Sequence, residues 1–164
     1  MSAAGNTEAA QKHFREVLAA RPDLPGIHYA LGELALKAGD HERAEAEFRA
    51  EAQLLPGSAP AAYKLGTVLL ERGNPTAAKA ELTRALALQP DMPETLLALG
   101  KAENAAGNTE AALKHFHRLL ELESKGELAA AAHFQLAQSY RKLNRPADAA
   151  RELTLFQSLR PKTP

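Results

Sequence analysis

The sequence predicts an all-α solenoid, an array of antiparallel helix pairs in which one supersecondary unit is written several times over. Three observations predict it. Leu31-Gly32, Leu65-Gly66 and Leu99-Gly100 recur at a spacing of 34 residues, and Leu136-Ala137 follows after 37. Ala44, Ala78, Ala112 and Ala149 stand twelve residues after each Gly or Ala, with Phe48, Leu82, Phe116 and Leu153 four further on. Pro56, Pro90 and Pro161 close three of the units. A fixed period of this length marks a repeat architecture, because one unit cannot bury its apolar face without a neighbour.

Helices are expected near residues 7–20, 25–38, 41–54, 59–72, 75–88, 93–106, 109–123, 129–143 and 146–159. The first carries Ala10, Phe14, Val17 and Leu18 at helical spacing. The next two are divided by Ala38-Gly39-Asp40, and the following pairs by Arg72-Gly73-Asn74 and Ala106-Gly107-Asn108. Glycine tolerates the left-handed conformation that ends a helix, and Asp or Asn caps the next one. Pro75 follows Asn74, where a first-turn proline removes no hydrogen bond. In the last pair Asn144 and Pro146 take over these tasks. Each helix spans roughly 20 Å at about 1.5 Å per residue.

Small residues account for the packing within a pair. Gly32 with Ala44, Gly66 with Ala78, Gly100 with Ala112 and Ala137 with Ala149 let two backbones approach closely, while Leu31, Phe48, Leu65 and Leu82 fill the space beside them. Gly66→Leu is therefore expected to overpack two adjoining units, at about 1–3 kcal/mol or more.

Twenty basic and twenty acidic residues give a formal charge of zero, with 45% hydrophobic and 5% aromatic content. This composition suits an alanine-rich helical array rather than a disordered chain. No basic stripe is present to neutralise phosphates, so nucleic acid is not an expected partner. No apolar run is long enough to cross a bilayer, and Met1-Ser2-Ala3-Ala4-Gly5 is not a signal peptide. The absence of cysteine removes disulfides and thiolate chemistry, and it fits cytoplasm and periplasm equally.

The aromatic, Leu-Gly, Ala, Phe and closing Pro positions resemble the tetratricopeptide repeat, in register over nearly the whole chain. The resemblance implies a right-handed superhelical solenoid. It has four full repeats, at 25–58, 59–92, 93–129 and 130–164, preceded by a partial repeat at 1–24. Departures are visible. The usual Trp is His28, Ala62, Leu96 and His133, the later Tyr survives only as Tyr140, and Ser124 replaces the third closing Pro. Lys125-Gly126-Glu127 is an insertion before the fourth repeat, with an expected effect on curvature. Ala3 to Phe14 nearly repeats Ala105 to Phe116, three periods away, so the chain is expected to open in mid-repeat with an orphan second helix. Apolar surface at the repeat ends is then a candidate site of homo-oligomerisation.

In this family the first helices of the repeats line a concave groove that holds an extended or helical peptide. The resemblance therefore points to Tyr29, Glu33 and Leu36 in the first repeat, and to Tyr63, Lys64, Thr67 and Leu70 in the second. Leu97, Lys101 and Asn104 follow in the third, and Phe134, Gln138 and Arg141 in the fourth. Tyr29, Tyr63, Leu97 and Phe134 form an apolar row at one position per repeat, suited either to ligand anchors or to packing between helices. The carboxylate clamp of chaperone-binding members is not expected, since Tyr29 and Glu33 occupy its Lys and Asn positions. The asparagine ladder of glycosyltransferase-associated members would need Asn where Ala30, Lys64, Ala98 and Gln135 stand.

Catalytic motifs are missing: there is no GxSxG, GxxxxGK[ST] or HExxH pattern, and no thiol nucleophile. His115 and His117 lie two residues apart on a helix and diverge, so no metal or other cofactor is expected. Two functional readings follow. One is a non-catalytic protein-interaction module or scaffold with a peptide or protein partner; the other is the recognition segment of a larger enzyme whose catalytic domain lies outside this chain.

Overall fold

The computed structural model describes residues 3–159, with side chains from residue 9 onward. Its helices are α1 (Ala3–Ala20), α2 (Ile27–Lys37), α3 (His41–Leu54), α4 (Ala59–Glu71), α5 (Pro75–Leu88), α6 (Pro93–Ala105), α7 (Thr109–Leu122), α8 (Gly126–Lys142) and α9 (Pro146–Leu159). No strand occurs among the described residues. From α2 onward the helices pack as pairs, α2 with α3, α4 with α5, α6 with α7 and α8 with α9. Each second helix also packs on the first helix of the next pair. First helices touch across the pairs, α4 with α6 and α6 with α8, so they share one side of the array. No helix among the described residues is long and apolar enough to cross a membrane.

The turns inside the pairs follow one design. Gly39, Gly73 and Gly107 have φ of 74°, 76° and 86°, a region closed to most side chains, and Asn144 takes the same role at φ 57°. The next residue's amide then reaches back over five positions: Asp40 to the Ala35 carbonyl, Asn74 to Leu69, Asn108 to Glu103 and Arg145 to Tyr140, at 2.8–2.9 Å. These bonds satisfy carbonyls that the helix end leaves free. Asp40 and Asn74 cap the following helices by accepting from Arg43 and Ala77 amides. Asn108 does not; its amide group donates to Glu103 instead.

Within the first three pairs, α2 with α3, α4 with α5 and α6 with α7, the glycine of the first helix sits against a large residue of the second. A Cβ built on Gly32 would lie 2.7 Å from the Phe48 ring, and one on Gly66 would lie 2.6 Å from Leu82 Cγ. Phe48, Leu82 and Phe116 are fully buried. Two apolar clusters result, one around Phe48, Leu65, Leu82 and Leu99, the other around Leu96, Phe116, Leu119 and Leu136. Helix α6 contributes to both, so the core runs along the array without a break between the second and third pairs.

Three helix starts differ from the sequence-based expectation, and the first is that of α1, at Ala3 rather than at residue 7. Helix α2 starts at Ile27 rather than at residue 25, because Gly26 turns into the left-handed region at φ 87°. The buried Glu51 of α3 substitutes for a side-chain cap, accepting from the Gly26 amide at 2.8 Å and the Tyr29 amide at 3.2 Å. Helix α8 starts at Gly126 rather than 129, so the insertion is wound into an additional turn. Glu127 in that turn sits favourably at the positive end of the helix dipole. The closing position at Pro161 lies outside the described residues.

Candidate functional site

On the side shared by the first helices lies a groove of about 400 Å³. Its residues arrive by helical spacing. Helix α4 presents Tyr63, Lys64, Thr67, Leu70 and Glu71, a set that recurs on one face each helical turn, and α6 presents Glu94, Leu97, Ala98 and Lys101 in the same way. Leu36 of α2 and Leu128 of α8 complete the lining. Leu36, Tyr63 and Leu70 are half-buried and pack down on the first apolar cluster, while Leu97 and Leu128 belong to the second. The groove therefore has an apolar floor continuous with the core.

Two of the four charged side chains that line the groove, Lys64 and Glu71, have partners. Lys64 Nζ lies 2.8 Å from Glu33 Oε1, joining α4 to α2. Burial pulls the Lys64 ammonium down, but the hydrogen bond and charge of Glu33 more than offset it and hold its pKa above the ordinary lysine value. Glu71 lies 3.1 Å from His41 Nδ1. Burial raises the phenols of Tyr29 and Tyr63, so both stay neutral and present an apolar ring with a polar tip. Thr67 donates its hydroxyl to the Lys64 carbonyl at 2.9 Å. Lys101 is exposed and has no hydrogen bond or ion pair among the described residues.

Of the residues singled out in the sequence, Leu36, Tyr63, Lys64, Thr67, Leu70, Leu97 and Lys101 line this one groove. Glu33 is tied to it through Lys64. Tyr29 meets the Phe48 ring edge-on at 5.4 Å between centroids, placing it partly in the core. Asn104 is buried and is not among the lining residues, and its side chain donates to Ser139 Oγ at 2.7 Å, linking α6 to α8. Phe134 is 38% exposed and stacks at a tilt on Phe156, 5.3 Å between centroids. Gln138 and Arg141 are exposed on α8 beyond the groove lining.

Leu128 is not legible as a site residue, since it directly follows the Lys125-Gly126-Glu127 insertion and precedes the helix expected from residue 129. The histidines at the usual Trp position are hydrogen-bonded rather than packed as aromatics. His28 shares a bond with Glu47 at 2.8 Å, and His133 with Glu152 at 2.6 Å, each joining the two helices of its pair. Among the described residues no group of three or more His, Asp or Glu is placed to hold a metal ion.

A family model described as tetratricopeptide repeat matches residues 2–59, 63–122 and 97–157. Several solved structures superpose on the chain. MamA from Desulfovibrio magneticus RS-1, residue 41 to its end, does so with a TM-score of 0.87 at 22% identity, over 94% of this chain and 86% of that one. YrrB, described as a TPR protein with an unusual peptide-binding site, gives 0.86 at 20% identity, over 97% and 80%. PilF of Pseudomonas aeruginosa gives 0.79 at 21% identity, over 97% and 71%. At these identities the likeness is one of fold. No curated protein matches the chain.

Proposed function

Because the chain belongs to the tetratricopeptide repeat family, we propose that it is a protein-interaction module whose groove of first helices holds a peptide segment of a partner protein. The observation that carries this reading is the groove itself. Its volume of about 400 Å³ falls in the range of ligand sites, and its apolar floor carries a few converging polar groups. Apolar side chains of a bound segment would lose water against Tyr63, Leu70 and Leu97. The Thr67, Lys64 and Lys101 side chains would orient the segment's polar groups. YrrB, of the same fold, is described as having a peptide-binding site, which supports the reading without transferring its ligand.

The test is a displayed random-peptide library selected on the native chain, with enriched peptides synthesised and titrated by fluorescence anisotropy. Thr67→Arg places a long charged side chain in mid-groove on a half-buried helix position. It is expected to weaken binding by about tenfold or more, equal to about 1.4 kcal/mol. Peptides that bind the variant undiminished, with its helical circular dichroism intact, would show that the groove is not the site.

A further inference from the structure

The insertion at Lys125-Gly126-Glu127 breaks the repeat period, and its consequence reaches the groove. Helix α8 has 17 residues, against 11 in α2 and 13 each in α4 and α6. The additional turn carries Leu128, eight residues before the Leu136-Ala137 marker. Counted back from the corresponding Leu-Gly markers, the same register falls on Asp23, Gly57 and Asp91, all exposed turn residues outside helices. Only the fourth unit places an apolar side chain there. Leu128 is half-buried, packs on the cluster that contains Leu96 and Leu97, and lines the groove together with Leu97 and Lys101.

Charge distribution gives the groove a direction. Lys64 is neutralised by Glu33 and Glu71 faces His41. Lys101 and Glu94 have no ion pair among the described residues. They stand seven residues apart on α6, a rise of about 10 Å along one face, with Leu97 between them. A ligand carboxylate is favoured at the Lys101 end and disfavoured at the Glu94 end, and such complementarity sets register and partner choice.

We infer that Leu128 is a specificity-determining residue, closing an apolar subsite between α4, α6 and α8, and that the groove takes a peptide with a medium-sized aliphatic anchor and an acidic side chain directed to Lys101. This inference rests on the reading of the groove as a peptide site. The anchor sits against Tyr63, Leu97 and Leu128. The wall supplied by Leu128 limits its size, and the Lys101 ammonium recognises the neighbouring carboxylate.

The experiment repeats the displayed random-peptide selection on the native chain, Leu128→Ala, Leu128→Phe and Lys101→Glu, and compares synthetic peptides that differ only at the anchor and at the acidic position. Native selections should enrich Leu, Ile or Met beside Asp or Glu. Leu128→Ala should shift the ratio of dissociation constants toward Phe and Trp anchors by about tenfold, and Leu128→Phe should shift it the other way. The opposed directions separate subsite shape from a general loss of folding. Lys101→Glu, at an exposed position, should turn the acidic preference into a basic one. Peptides that lose binding to Thr67→Arg but keep identical anchor and charge preferences in these variants overturn this inference and leave the groove reading standing. Peptides indifferent to Thr67→Arg overturn both.

Discussion

Replacing Gly66 with alanine adds one methyl group at the closest approach of α4 to α5. The new Cβ would stand 2.6 Å from Leu82 Cγ, 2.9 Å from Leu82 Cδ2 and 3.2 Å from the Ala78 carbonyl oxygen. Non-bonded carbons settle at about 3.5–4.0 Å, so the helices must part by about 0.9 Å or the leucine must turn. Neither is easy. Leu82 and Ala78 are fully buried, and the nearest atom is the leucine's branch point rather than a movable tip. Two effects oppose each other: alanine gains about 1 kcal/mol over glycine inside a helix, while overpacking a filled core costs about 1–3 kcal/mol. Contact with both a branch carbon and a backbone oxygen favours the upper part of that range, leaving a net loss of about 1–2 kcal/mol. Urea unfolding followed by circular dichroism should show a lower midpoint at an unchanged slope. The cycle with Leu82→Ala sharpens the test, because that change alone empties space at a cost of about 2–5 kcal/mol. The added methyl fills part of the space, so the double variant should be more stable than the sum of single losses by about 1 kcal/mol. A stabilised Gly66→Ala, or additivity within about 0.5 kcal/mol, would refute the close-approach argument.

Glu51→Ala should cost about 1.5–3 kcal/mol, since the buried carboxylate accepts from the Gly26 and Tyr29 amides that begin α2. Hydrogen exchange should show lost protection at the start of α2 and none in α8; an unchanged pattern would remove Glu51 from that role. Glu45 gives a pH prediction. The hydrogen bond from Arg49 at 2.6 Å lowers its pKa, burial opposes this, and Arg72 adds further lowering. A carboxyl depressed on folding stabilises the native state above its unfolded pKa and loses that contribution as pH falls through the folded value. From about pH 5 downward the native chain should therefore lose more stability than Glu45→Gln. Parallel stability curves for the two proteins would contradict the assignment.

Most of the fold was legible because its local signals agree with its packing. The Gly-Asp and Gly-Asn pairs that predict turns do end helices at Gly39 and Gly73, and Asn144 replaces glycine in the left-handed position, as its short polar side chain permits. The Leu-Gly and Ala markers locate contacts that the structure contains, such as Gly32 against Phe48. The start of α2 was less legible, since its capping group, Glu51, comes from 25 residues away in sequence. The start of α8 differs for another reason: the insertion breaks the repeat period, and its winding into the helix goes with the packing of Leu128 on the second apolar cluster.

The candidate groove divides in the same way. Helical spacing on α4 and α6 makes Tyr63, Thr67, Leu97 and Lys101 neighbours along their helices, and this much follows from periodicity. Spacing does not distinguish Lys101, left exposed, from Lys64, tied to Glu33 of another helix. It also does not show that Asn104 is buried in a hydrogen bond to Ser139 of α8.

The sequence by itself determined the repeated helix pair, its turns and the close approach of its small residues, because these depend on backbone conformation and side-chain volume within one unit. Only the tertiary structure decided which charges cancel, which amides borrow a distant carboxylate, and that the inserted turn brings Leu128 to the groove. Those outcomes depend on distances between units, which a periodic pattern repeats but does not measure.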